Sequence, residues 1–168
     1  GDTRQGDVLA VAMPYQKNVI TKKTKDAIKV ARDLGASLIA VHPFYRYGIG
    51  QFLTENLNFL QYFSSWEIFN GSAEFSFPFV LPRNANKKAL DFYVSQNLSE
   101  LDIGISAFID GHLAKVIGKS YTELGDFNLT SNSLGKDFDY ALRNVKSMDK
   151  LHMEPNKKDA ALHPLDMA

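Results

Sequence analysis

The chain contains no cysteine, which excludes disulfides, thiolate metal sites and a cysteine nucleophile, and fits a reducing compartment. It has no excess of either charge: 19 Lys and Arg face 19 Asp and Glu, a formal net charge of +0. General nucleic-acid binders and membrane-surface binders rely on a basic excess, so beyond local patches neither class fits. No apolar run reaches the ~18 residues that a membrane-spanning helix needs. The opening GDTRQGD lacks the basic-then-apolar pattern of a targeting segment. These absences point to a cytoplasmic protein with no membrane partner, in which Gly1 is a candidate cloning scar. Internal repeats and low-complexity linkers are also missing. What remains is 168 residues, 45% hydrophobic and 23% charged, enough for one compact domain with a real core.

In chain order, Val8 to Met13 is a short apolar run closed by Pro14, and it reads as a buried strand followed by a loop, Tyr15 to Asn18. Thr24 offers an N-cap, Ala27, Ile28, Ala31 and Leu34 recur at helical spacing, and Gly35 stands where a helix would end. Leu38 to Val41 is the next strand, closed by His42-Pro43. The proline biases His42 toward an extended conformation. Phe44 to Ser65 is rich in Phe and Tyr, carries Gly48 and Gly50, and predicts a helix over Thr54 to Phe63 with Leu57, Leu60 and Phe63 facing the core.

A third strand is expected over Trp66 to Phe69, with Glu67 and Asn70 at its mouth. Gly71 to Pro82 follows as an irregular loop. Then comes a helix over Asn86 to Gln96, presenting Ala89, Leu90, Tyr93 and Val94. Ile103 to Ile109 is a fourth strand and Ser120 to Leu124 a candidate fifth. Ser133 to Val145 predicts a last amphipathic helix, with Phe138, Ala141, Leu142 and Val145 inward. From Asp149 the chain is polar, holds Pro155 and Pro164, and reads as a fraying or surface tail. The domain is thus expected over 1–148 with a tail over 149–168. Strands alternating with helices predict a mostly parallel α/β layer, whose active groups gather at the carboxyl ends of strands.

Two of those ends carry chemistry. His42 closes the second strand. At the end of the fourth, Asp110 and His112 are two residues apart, so on an extended chain the carboxylate and the imidazole project to the same side. Gly111 between them permits a turn or a close approach to a ligand. Such a pair suits a metal ion, but D-x-H alone equally describes a loop aspartate and a solvated histidine. A further reading has His42 and Asp110 satisfying only each other. Glu67 and Asn70 are expected to hold the strand mouth together, and His152 and His163 to be solvated.

Five segments, in order, resemble the later part of the polymerase and histidinol phosphatase (PHP) family, especially its metal-dependent phosphoesterases. They are TRQGDVLAV, ARDLGASLIAVHPF, WEIFN, NKKAL, and IDGH followed by IGKSYTEL, and they span nearly all of Thr3 to Leu124. The resemblance implies a partial or distorted (β/α) barrel of the TIM-barrel-like kind, with metals at the C-terminal mouth of its strands. It implies His42, Asp110 and His112 as ligands of a divalent metal (Zn, Mn, Fe or Mg), since imidazole nitrogen and carboxylate oxygen both coordinate such ions. Asp7 stands where some relatives place a metal-binding histidine; a loop residue capping the strand is its other reading. Arg46 follows the His-Pro motif, where a guanidinium could grip a phosphate through paired hydrogen bonds, and Lys119 is a weaker version of the same idea.

The chain departs from the family at its front. The H-x-H pair, the Asp-His pair and the glutamate that precede these segments in the family are absent, and too few strands remain to close a seven-stranded barrel. A piece of a longer enzyme, half of a split site and a degenerate domain all fit this pattern. The function implied is hydrolysis of a phosphate ester, on a small molecule or a nucleotide, by a metal-activated water. The alternative is a non-catalytic interaction or scaffold subunit. Incomplete closure also implies a homodimer or a partner chain that supplies the missing strands.

Overall fold

The computed structural model describes residues 6–12, 23–45, 47–73, 84–110, 116–126 and 134–154. Its centre is a four-stranded sheet in the order β1 (Leu9–Val11), β2 (Ser37–Ala40), β3 (Ser65–Asn70), β4 (Gly104–Phe108). β2, β3 and β4 run parallel, with helices in the connections between β1 and β2, β2 and β3, and β3 and β4. The mixed α/β class is therefore as expected, but among the described residues the sheet is open and closes no barrel.

β1 departs from its expectation. It pairs antiparallel with β2, Leu9 opposite Ile39, at the edge of the sheet, and Leu9 and Ala10 are exposed rather than buried. Met13 and Pro14 lie outside the described residues. The opposite edge, β4, is closed by a side chain standing in for a strand. Ala107 N–H donates to the Thr122 hydroxyl at 2.9 Å, which donates back to the Ala107 carbonyl at 3.1 Å. Such pairing removes an edge that would otherwise present free backbone groups.

Helix α1 (Thr24–Asp33) buries Ile28 and Ala31, and Lys23 rather than Thr24 is its N-cap. Its end explains the glycine. Gly35 takes φ 84°, its N–H reaches the Arg32 carbonyl at 2.9 Å, and Ala36 N–H reaches the Ala31 carbonyl at 3.0 Å. This paired closure needs a left-handed residue that glycine adopts without strain. The helix α3 (Ala85–Ser95) ends the same way with Asn97 at φ 50°, Leu98 N–H bonding the Tyr93 carbonyl at 3.0 Å.

The predicted helix over 54–63 is two pieces. α2 (Gly50–Glu55) stops at Asn56, whose φ of −137° is not helical, and a 3-10 segment, Leu57–Tyr62, follows. Leu57 therefore points out at 47% exposure, while Leu60 and Phe63 are buried as expected. In α3 the buried face is Ala85, Ala89, Phe92 and Tyr93, and Leu90 and Val94 are exposed. Trp66 decides that face: its Nε1 donates to the Ala89 carbonyl at 2.9 Å and its ring stacks on Phe92 at 4.9 Å.

The last helix, α4 (Leu134–Arg143), buries Ala141 and Leu142, with Val145 buried just beyond it. It lies so close to β4 that a Cβ on Gly104 would stand 1.8 Å from the Leu142 carbonyl oxygen, a separation only glycine permits. The stretch from Asp149 does not fray at once. β6 (Leu151–His152) pairs antiparallel with β5 (Tyr121–Thr122), the whole of the expected fifth strand that forms, and Leu151 is buried. His152 stacks on Tyr121 at 4.9 Å. From Pro155 onward the tail, with His163, lies outside the described residues.

Candidate functional site

Side chains alternate across a strand, so β3 sends Trp66 and Glu67 to opposite sides. Trp66 enters the apolar core under α3. Glu67 joins a polar face with Ser65, which pairs with Gly104, and with Ser106, directly opposite it on β4. All three side chains are buried. A register shift between Glu67 and Phe69 carries β3 to its mouth, where Asn70 ends the strand.

Burial pushes the Glu67 carboxyl well above the ordinary glutamate value. The bond it accepts from the His42 backbone N–H pulls the other way, the negative charge of Asp110 adds to the rise, and bonds from the Asn70 side chain and the Phe108 backbone offset part of it. Asn70 is the hinge pin of this rim. Its Nδ2 donates to Glu67 Oε1 at 3.2 Å, its Oδ1 accepts the N–H groups of Ser72 and Ala73 at 3.0 Å each, and its backbone exchanges bonds with the Asn86 side chain of α3 at 2.9 and 3.1 Å. The expectation that Glu67 and Asn70 hold the strand mouth together describes these contacts.

His42 directly follows β2 but is not extended, despite Pro43: its φ is 32°. A tight turn explains it, with the Tyr45 N–H bonded to the His42 carbonyl at 2.8 Å. The chain then folds back so closely that a Cβ on Gly48 would lie 2.1 Å from that same carbonyl oxygen. The turn leaves the imidazole Nδ1 buried with no hydrogen-bond partner among the described residues. A buried nitrogen without a partner is costly, and such atoms are few in folded proteins. Asp110, just beyond β4, also takes a left-handed φ, 49°, and the Ser72 hydroxyl pins its carbonyl at 2.9 Å. Strained backbone of this kind persists where surrounding structure over-determines it, and it clusters at functional sites.

His42, Glu67, Asn70 and Asp110 line one cavity of about 360 Å³ at the carboxyl ends of β2, β3 and β4, together with Val8, Leu9, Val41 and Phe108. Two of the expected ligands, His42 and Asp110, are thus brought to one place. Asp7 is not. Its N–H bonds the Tyr47 carbonyl at 2.6 Å, it is exposed, and it lines a neighbouring cavity with residues of α1. Lys119 forms an ion pair with Glu154. His112 and Arg46 lie outside the described residues. Glu67 is the contribution that sequence reasoning undervalued; the signal available was a carboxylate inside an otherwise apolar strand.

The donor chemistry, an imidazole nitrogen without a partner beside two carboxylates, suits a borderline divalent cation. Among the described residues, however, no three His, Asp or Glu side chains form a group able to hold a metal. Nor, among those residues, is any helix long and apolar enough to cross a membrane. No family model, no curated protein and no solved structure matches the chain.

Proposed function

We propose that the chain carries the later part of a PHP-type metal-dependent phosphoesterase, its substrate a phosphate ester of a small molecule or nucleotide. The observation that carries this reading is the meeting of His42, Glu67 and Asp110 around one cavity at the ends of three adjacent parallel strands. In open α/β sheets this is where ligands bind. His42 and Asp110 would hold a divalent cation, joined by His112 as the resemblance implies. Such an ion supplies an activated water and positive charge for the phosphoryl oxygens.

The chain's own groups do the rest. Glu67 fixes the His42 backbone through its N–H, so that the residue is held without using the imidazole Nδ1. Ser72 holds the Asp110 backbone. Arg46 would orient the phosphate by paired hydrogen bonds.

A second reading, a non-catalytic domain retaining the scaffold, is favoured by the lack of a three-ligand group among the described residues. Metal content and aryl phosphate hydrolysis, measured after exposure to Zn, Mn, Fe or Mg, separate the two. The enzyme reading expects bound metal and turnover, both lost in His42→Ala and in His112→Ala. Metal binding and turnover unchanged in both variants would sink it; no turnover with any metal favours the non-catalytic reading.

A further inference from the structure

A second polar cavity lies at the opposite rim of the sheet. There the Asp139 carboxylate, on α4, is shared by two guanidinium groups, with Arg32 Nη1 at 2.7 Å from Oδ1 and Arg143 Nε at 2.7 Å from Oδ2. The Ser64 hydroxyl donates to the same carboxylate. Arg32 Nη1 also reaches the Ala36 carbonyl at 2.8 Å, and Arg143 Nη1 the Asp102 carbonyl at 2.9 Å. Ala36, Ser64 and Asp102 stand just ahead of β2, β3 and β4, so the cluster sits where the parallel strands begin.

Arg32, Asp139 and Arg143 line a cavity of about 260 Å³ together with Gly35, Lys136 and Tyr140. Among the described residues, three cations meet one carboxylate there. The nearby Asp102 carboxylate is within 3.6 Å of Lys146, which counters it. Among the described residues, Nε and Nη2 of Arg32 and Nη2 of Arg143 take no protein acceptor. Guanidinium groups held in place with donors left over are preorganised for a planar, multi-point grip on an oxyanion.

We infer that this cavity binds a phosphate-bearing small anion, at a site separate from the one formed by His42 and Asp110. The ligand's oxygens take the spare guanidinium N–H groups, and Lys136 supplies the outer charge. Phosphate fits better than a monocarboxylate, because an excess of two positive charges is balanced by a dianion.

The test uses chelator-treated His42→Ala protein, so that the strand-end site contributes nothing and failure of the proposed function leaves this result readable. Inorganic phosphate is titrated against sodium chloride and sodium acetate at matched ionic strength, and the arginine Nε–H signals are followed by proton–nitrogen NMR. The expected result is a saturable shift of two arginine signals with phosphate only, weakened roughly tenfold by Lys136→Glu, which reverses one charge at the cavity. Lys136 is exposed and takes part in no hydrogen bond of the cluster, so this variant leaves the fold intact. A shift equally produced by chloride or acetate, the absence of any saturable shift, or unchanged affinity in Lys136→Glu would each overturn the assignment.

Discussion

Replacing Asp139 by asparagine tests whether the clamp at the strand beginnings is a principal stabilising contact. Burial alone would raise this carboxyl, but hydrogen bonds from Arg143, Ser64 and Arg32, with the Arg143 charge, outweigh burial and hold it at about 2 against the usual 3.8. The side chain is only 20% exposed, so screening by solvent removes little of this. At about 1.4 kcal/mol per unit, the charged carboxylate contributes on the order of 2 kcal/mol to folding. Asp139→Asn also strands two guanidinium groups, which adds to the cost. The expected loss at pH 7 is about 2 to 3 kcal/mol.

Because the carboxyl lies below its unfolded value, its contribution is complete above about pH 4 and fades as pH falls toward 2, where wild type and variant converge. Urea unfolding followed by fluorescence measures this directly. The single tryptophan, Trp66, is fully buried in the core and reports the global transition. A loss under about 0.5 kcal/mol at pH 7, or one that does not shrink between pH 5 and pH 2, would refute the reasoning.

Glu67→Gln should behave in the opposite sense. The folded state raises this carboxyl, so metal-free wild type should lose stability as pH climbs above about 4.5, whereas Glu67→Gln should flatten that decline and be at least as stable at pH 8. The same urea titrations in chelator check it, and a steeper decline in the variant would contradict it. Gly104→Ala should cost about 3 kcal/mol or more, enough to unfold a marginal domain, because the new methyl meets the Leu142 backbone; a melting temperature near wild type would show that α4 can move away.

Sequence legibility followed the strength of local signals. The three parallel strands were readable to within a residue or two because each is a short, mostly apolar run, as buried parallel strands tend to be. Helix α1 was readable from its spacing and from Gly35. The errors fall where tertiary contacts override pattern. Leu90 and Val94 have helical spacing, yet Trp66 and Phe92 choose the other face of α3. Leu57, Leu60 and Phe63 predict one helix over 54–63, but the Asn56 backbone divides it. Leu151–His152 was hidden in a polar stretch because a two-residue strand has no periodicity to detect. At the site, His42 and Asp110 could be placed at strand ends, but their left-handed backbones and the bond from His42 N–H to Glu67 depend on turns that the residue order alone does not reveal.

The two rims of the sheet use the same kinds of side chain to opposite electrostatic effect. Where β2, β3 and β4 begin, Asp139 is surrounded by donors and its carboxyl is driven down, so the charge it carries stabilises the fold. Where the same strands end, Glu67 is buried with its carboxyl driven up, Asp110 adds like charge, and the His42 Nδ1 has no partner among the described residues. Compensated charge is what a fold needs to stay folded. Uncompensated polar groups held on strained backbone work against stability, and they persist where the cost is offset by a function. A cation held by His42 and Asp110, as proposed, would offset the repulsion that Asp110 exerts on the nearby Glu67 carboxyl and occupy a lone pair of the imidazole, so binding there should raise the melting temperature more in wild type than in Glu67→Gln. That difference depends on the sign of the field at the site, which the strand ends set independently of any resemblance.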